Sequence, residues 1–464
     1  MTTSGPETET ESKHKASSRN DPDISKGILA DTEAINIDDR ILQANGHKPQ
    51  LRRQFNWLSA LGLGFSITNS WVGYLSNFGQ SMTYGGPRLV IVGLIFAFLA
   101  QSIISIGLAE IGSAFPSSGG QYHFCFLLGP RESRWFAAYV VGWISVVAWW
   151  VTTYPRFRCF QEDLTRLPNN SPHVRRWRDN NAFRSCWYTS EPLHIAEEMQ
   201  NPGRRVPQII IATLVIGIAT TFPLFIALLL FSRDTEAIMD SSLPSAELIY
   251  QATGSRAGTM FLITWILIVY ISCLPSQWIT SGRIAWAFAR DNGTRFPSYF
   301  SAVSPTFQFP VRTTTAAFIF VLIYGLLYLA STTAFNSIIT SAVLFLNITY
   351  AVPRGILLVR RAQSLLTSTP KKDTNMKVLP PRYPNLGRFL GPFCNAFSIL
   401  WIIVLGVFVC FPPHVPVHVA SANYTPAVVV GTFGLIVLFW GLGGRKMFEG
   451  PRVDWEGLGL RGNV

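Results

Sequence analysis

Among four consecutive residues, Ser66, Ile67, Thr68 and Asn69, three carry polar side chains, inside a stretch from Trp57 to Thr83 that has no Asp, Glu, Lys or Arg. Gly62 and Gly64 stand just ahead of them. Small hydroxyl and amide residues beside glycine at bilayer depth allow a helix to unwind, because side chains can re-satisfy the freed backbone groups. An unwound helix offers N–H and C=O groups to a polar ligand, and a carboxylate suits the positive end of a half-helix. Alternatively, the same residues simply let helices pack closely. Aromatics form a second constellation. Trp71, Trp143, Trp265 and Trp278 lie in apolar runs, with Ser281 nearby. Their ring faces could attract a quaternary ammonium without a carboxylate, or serve packing, and Trp57, Trp135 and Trp440 read as interfacial anchors. Glu110 is a charge within an apolar run, and an ionisable residue there is a functional candidate. We expect Glu110, Glu197 or Glu198 to pair with Arg283 or Arg290, either as a gate or as a structural anchor.

Enzyme chemistry finds no footing. There is no GxSxG, HExxH or P-loop pattern. Cys125, Cys159, Cys186, Cys273, Cys394 and Cys410 form no CxxC and no His/Cys cluster. His414 and His418 share one short loop and are the one candidate metal pair, and we expect no metal and no cofactor. Asn292 and Asn423 open formal glycosylation sequons.

The elements that must carry these residues follow from charge. Charged residues are 14% of the 464, against roughly 25% in soluble domains. The net charge of +12 is basic, yet the long runs contain no charge, which argues against nucleic-acid binding. Residues 313–353 and 389–444 are charge-free over 41 and 56 positions. A bilayer crossing needs about 20 apolar residues, so each of these runs holds two spans. Nine spans are predicted, at about 57–82, 88–113, 134–155, 207–231, 257–284, 312–331, 334–353, 390–411 and 425–444. Such lengths exclude barrel strands, and the fold class is all-α and membrane-embedded. Residues 1–50 read as a disordered tail without a signal peptide, and 451–464 as a second tail.

Arg354, Arg360, Arg361, Lys371, Lys372, Lys377, Arg382 and Arg388 crowd one loop, and basic residues flank both termini. The positive-inside rule therefore puts both termini and that loop in the cytoplasm. Two ends on one side require an even number of crossings, and nine is odd. The segment 156–206 must begin outside and end inside, yet it holds nine arginines and no run of spanning length. An odd number of spans is missing, unless one end lies outside or one run is re-entrant.

Four motifs then carry a resemblance. They are Leu108-Ala109-Glu110 through Gly119-Gly120-Gln121-Tyr122, Ala196-Glu197-Glu198 through Pro207, Gly282-Arg283 through Gly293, and Phe65 through Trp71. In their order along the chain they resemble the amino acid–polyamine–choline permease superfamily, closest to its fungal choline/GABA branch, over about 40–155 and 191–450. The resemblance implies a LeuT-like fold of inverted repeats with broken helices and twelve spans. It implies a multi-pass membrane protein, in the plasma membrane, that moves choline, GABA or a related small amine or amino acid by alternating access, with proton coupling. Its partners would be the bilayer and that substrate; the oligomeric state stays open. The implied substrate contacts are Ser66, Ile67, Thr68 and Asn69, with Trp143, Trp278 and Ser281 secondary. The gate suggested by the charges themselves is Glu110, Glu197 or Glu198 with Arg283 or Arg290, on the cytoplasmic side. The family's fourth, fifth and most of its sixth span have no counterpart here, and 156–190 resembles nothing in it. A non-transporting paralogue, acting as sensor or partner, or the product of a faulty gene model is the alternative.

Overall fold

The computed structural model describes residues 38–47, 50–76, 78–165, 191–241, 243–366, 379–411, 422–455 and 458. The regular elements among them are helices, and one isolated bridge joins Phe55 to Met199. We label the principal helices α1 (Trp57–Thr68), α2 (Ser70–Ser76), α3 (Phe78–Ala114), α4 (Gln121–Leu128), α5 (Arg134–Thr165), α6 (Pro202–Phe231), α7 (Arg256–Arg290), α8 (Val311–Ala330), α9 (Thr332–Leu366), α10 (Leu390–Cys410) and α11 (Thr425–Phe439). Positions 1–37, 48–49, 456–457 and 459–464 of the expected tails 1–50 and 451–464, the His414 and His418 pair, and most of the arginine-rich segment lie outside the described residues.

Seven helices among the described residues are long and apolar enough to cross a membrane: Gly85–Ala114, Arg134–Thr153, Pro202–Phe231, Arg256–Arg290, Thr333–Ser364, Leu390–Cys410 and Thr425–Met447. The expected nine are corrected in one place. The run at 312–331 forms the 20-residue helix Val311–Ala330. The run at 57–82 is not one rod. It breaks at Asn69, and α3 kinks at Gly86-Pro87, where Gly86 takes a positive φ of 63°. Proline has no N–H for the ladder and glycine alone adopts that φ freely, so the pair separates 78–86 from the straight span that follows.

Packing follows from small residues and long apolar faces. The helix α3 lies along α6 and α10, α7 against α5, α8 and α1, and α9 across α4, α5, α10 and α11. The main core lies at the end where α3 finishes and α4 begins, and includes Phe115, Tyr122, Phe124, Trp149, Leu193 and Phe288. Gly142 of α5 gives the Phe288 ring its place; a Cβ there would overlap it. Outward faces are apolar and exposed, as at Phe96, Leu99, Leu322 and Val430, which suits lipid contact.

The charged end is closed by chain that composition assigned to tails. Residues 38–44 are helical. The Asp38 carboxylate accepts from the Asn201 N–H at 2.7 Å, and the Asp454 N–H donates to the Ala44 carbonyl at 2.9 Å. This order comes from tertiary bonds to distant segments, which local composition does not record.

Candidate functional site

The break between α1 and α2 lies where the residues suggested. Asn69 has φ 33° and ψ 53°, and its N–H closes the last turn on the Phe65 carbonyl at 2.7 Å. Asparagine tolerates this left-handed conformation better than most residues. The break is tied to one face of α7. Ser66 Oγ donates to Ser276 Oγ at 2.6 Å, Asn69 Nδ2 to Cys273 Sγ at 3.2 Å, and Tyr270 OH to the Val72 carbonyl at 3.3 Å. Positions 270, 273 and 276 recur at three-residue spacing, which puts them on neighbouring turns of one side. The sequence reading missed all three. Their spacing was the available signal.

The remaining predicted contacts separate. Ile67 is fully buried in the core, and the Thr68 hydroxyl is spent on the Gly64 carbonyl. Ser281 is also fully buried, its hydroxyl donating to the Trp278 carbonyl in its own helix. Trp278 packs edge-on against Phe318 of α8. Trp143 sits among Tyr139 and Phe288. Phe288 is twelve residues past Ser276, about 18 Å along α7, so Trp143 belongs to the charged end and not to the break. Trp265 is 53% exposed on the outer surface and lines no interior. The Asn423 amide is bonded to the Val409 and Phe411 carbonyls.

At the charged end, the residues 191–198 descend beside α1. Pro192 lies by Gly64, and the Phe55 N–H meets the Glu198 carbonyl at 3.1 Å. This brings two glutamates to two arginines of α7. Glu197 accepts Arg290 Nη1 and Nη2 at 2.8 and 2.9 Å, and the Ser118 N–H at 3.0 Å. Glu198 holds Arg283 through Nε and through Nη2, the latter at 2.6 Å. Glu110 takes no part. It is fully buried, and it is held by Arg361 Nη2 and Arg382 Nε, each at 2.8 Å. The expectation that it pairs with Arg283 or Arg290 is corrected, because Glu110 faces α9 and the segment that precedes α10.

Asp291 knits the end together. It accepts Tyr122 OH at 2.9 Å and lies 3.0 Å from His47 Nε2. His123 Nε2 donates to the Asn45 carbonyl at 3.0 Å. Burial opposes ionisation of Glu197, yet the Arg290 guanidinium outweighs it and holds the carboxyl down at about 2. Burial would also raise Asp291, but His47 and Arg290 hold it below its usual value. Burial pushes His123 down to about 3 and His194 to about 4. The network can therefore stay charged where it is paired and neutral where it is not. Among the described residues no group of three His, Cys, Asp or Glu side chains could hold a metal.

Comparisons with known proteins agree with these helices. Residues 186–434 match the amino acid permease family. The chain is 28% identical to a choline transporter of Saccharomyces cerevisiae, over 86% of this chain and 83% of that protein. It is 25% identical to a transmembrane transporter of Metarhizium robertsii, over 88% and 95%. It is 23% identical to an uncharacterized amino-acid permease of Schizosaccharomyces pombe, over 91% of each. The first alignment runs over 482 positions. Since 86% of 464 residues is about 399, about 83 of those positions stand opposite gaps in this chain. With apolar helices of spanning length and more than half its residues matched, the chain belongs to the amino acid permease family, whose members are multi-pass membrane transporters and not enzymes.

Proposed function

We propose that this chain moves choline, GABA or a related small amine or amino acid by alternating access, with substrate meeting the α1–α2 break. The observation that carries this reading is the interruption at Asn69 inside an apolar run, tied to Tyr270, Cys273 and Ser276 of α7. An interrupted helix presents backbone groups to a polar ligand where lipid offers none. Ser66 and Asn69 remain the side chains best placed there, with Ile67 and Thr68 contributing backbone. No Asp or Glu occurs in α1, α2 or α7, so a cationic substrate would rely on ring faces and carbonyls. The similarity to a choline transporter supports that substrate class. Glu197, Glu198, Arg283 and Arg290 would then close the cytoplasmic side. The test is uptake of labelled choline and GABA into proteoliposomes holding the purified chain. Saturable uptake supports the proposal, and its absence for both substrates counts against it.

One observation favours a second reading, a non-transporting paralogue or a faulty gene model. About 83 unmatched positions are enough for three spans of about 20 residues with their loops, an odd number as the crossing parity demands. Sequencing the transcript across codons 150–195 separates the two. Extra apolar codons there restore an ordinary permease, while a transcript matching this chain favours the sensor or partner role.

A further inference from the structure

Arg354 of α9 has none of its surface exposed. Its Nη1 donates to Ser398 Oγ of α10, while Nε and Nη2 are buried without a hydrogen-bond partner. These two nitrogens form one edge of the guanidinium fork, the edge that takes two oxygens of one oxyanion side by side. The same chain shows that edge in use, where Arg283 Nε and Nη2 grasp the two oxygens of Glu198. At Arg354 the edge is bare.

Its surroundings are built to hold a charge. Gly107 of α3 backs the guanidinium; a Cβ there would stand 3.7 Å from Arg354 Nε. Asn395 is fully buried, and neither its Oδ1 nor its Nδ2 is bonded. It lies three residues from Ser398 and so shares that side of α10. The neighbouring carboxylate, Glu110, is one turn from Gly107 and is already shared by Arg361 and Arg382. Glu110 is thus taken by two other guanidiniums, and no carboxylate bonds to Arg354 among the described residues. A buried ion without a counter-charge is strongly unfavourable, and the missing partner here is an anion.

We propose that Arg354, with Asn395 and Ser398, binds an oxyanion, a carboxylate or phosphate, between α3, α9 and α10. The site is separate from the α1–α2 break and does not rest on the transport reading. Arg354 is 22 residues from Thr332, about 33 Å along α9, which is close to the thickness of the hydrocarbon core. The site therefore lies level with the headgroups at the basic end of the bundle. Two sources can supply the group: a lipid phosphate or a small soluble oxyanion.

The test uses the purified full chain in detergent. Its unfolding temperature is followed with sodium acetate and with inorganic phosphate against chloride at matched ionic strength. Native mass spectrometry then reads retention of added phosphatidic acid against phosphatidylcholine. A soluble oxyanion at about a hundredfold excess over its Kd raises the unfolding temperature by roughly 3 °C. A lipid source instead shows as phosphatidic acid retained on the wild type. Either response is abolished in Arg354→Met and weakened in Arg354→Lys, which cannot present a two-nitrogen edge. Asn395→Leu keeps the cation and weakens the response, which guards against a failure of Arg354→Met to fold. The proposal is overturned if the wild type shows neither response, or if Arg354→Met responds as the wild type does.

Discussion

Neutralising Glu197 tests whether the charged end is held by paired ions or by packing alone. The Glu197 side chain is 2% exposed and that of Arg290 is 9% exposed, with two hydrogen bonds of 2.8 and 2.9 Å between them. Glu197→Gln leaves a buried guanidinium facing a neutral amide. Removing one partner of a buried pair costs about 3–5 kcal/mol. Arg290→Gln is expected to cost a similar amount, since Glu197 would keep only the Ser118 N–H. The double variant should recover part of the loss, because no unpaired ion is left. An internal control is the exposed pair Arg452–Glu449, whose side chains are 86% and 54% exposed; Arg452→Gln should cost no more than about 0.5 kcal/mol. Thermal unfolding in detergent, read by fluorescence-detected size exclusion, gives all four comparisons. Single neutralisations no worse than Arg452→Gln, or a double variant at the sum of the singles, would refute the argument.

Two other predictions follow from burial and contact. Unfolded histidines begin to protonate near pH 6.5, while folded His194 resists until about 4, so stability should fall on acidification through that window. The slope is about 1.4 kcal/mol per pH unit for each such histidine, and His194→Gln should flatten the unfolding-temperature profile between pH 6.5 and 4 relative to wild type; identical profiles would remove His194 as a cause. Gly142→Ala pushes a methyl into the Phe288 ring and is expected to cost about 1–3 kcal/mol, whereas Gly62→Ala meets nothing within 4 Å and should be neutral or stabilising by up to about 1 kcal/mol. Thermal unfolding of the two variants side by side checks the contrast.

Charge-free runs located the helices because lipid contact demands them, and the break near Asn69 was legible because Gly, Ser, Thr and Asn are unusual together in such a run. Other parts were hidden for physical reasons. Tyr270, Cys273 and Ser276 look like ordinary helix-packing residues until α1 is placed beside them. Glu110 meets arginines 251 and 272 positions away, and no local pattern records such a distance. Residues 38–47 are polar, and composition alone gives them no core to join. Their order depends on Asn201, Asp291 and Asp454, which supply the partners. The two glutamates of the Ala196-Glu197-Glu198 turn were legible as ion partners, while which arginine takes which glutamate required the turn's geometry.

The helix α7 joins these results. From Ser281 to Ala289 every residue is buried, under α5, the 191–198 segment and the closing tails. Its other half exposes Met260, Phe261, Trp265, Ile268 and Ile271, although Tyr270 and Cys273 of that half hold the break. An alternating-access carrier must close each end in turn around its site. The charged end is held by two buried bidentate pairs, Asp291 with His47, and the chain that covers them. The opposite half of the same helix has no comparable cover among the described residues. About 83 positions of a relative stand unmatched, and helices supplied by those positions would give α7 a further flank to pack against. The presence or absence of that flank separates the two proposed readings, so the transcript across codons 150–195 comes before any search among substrates.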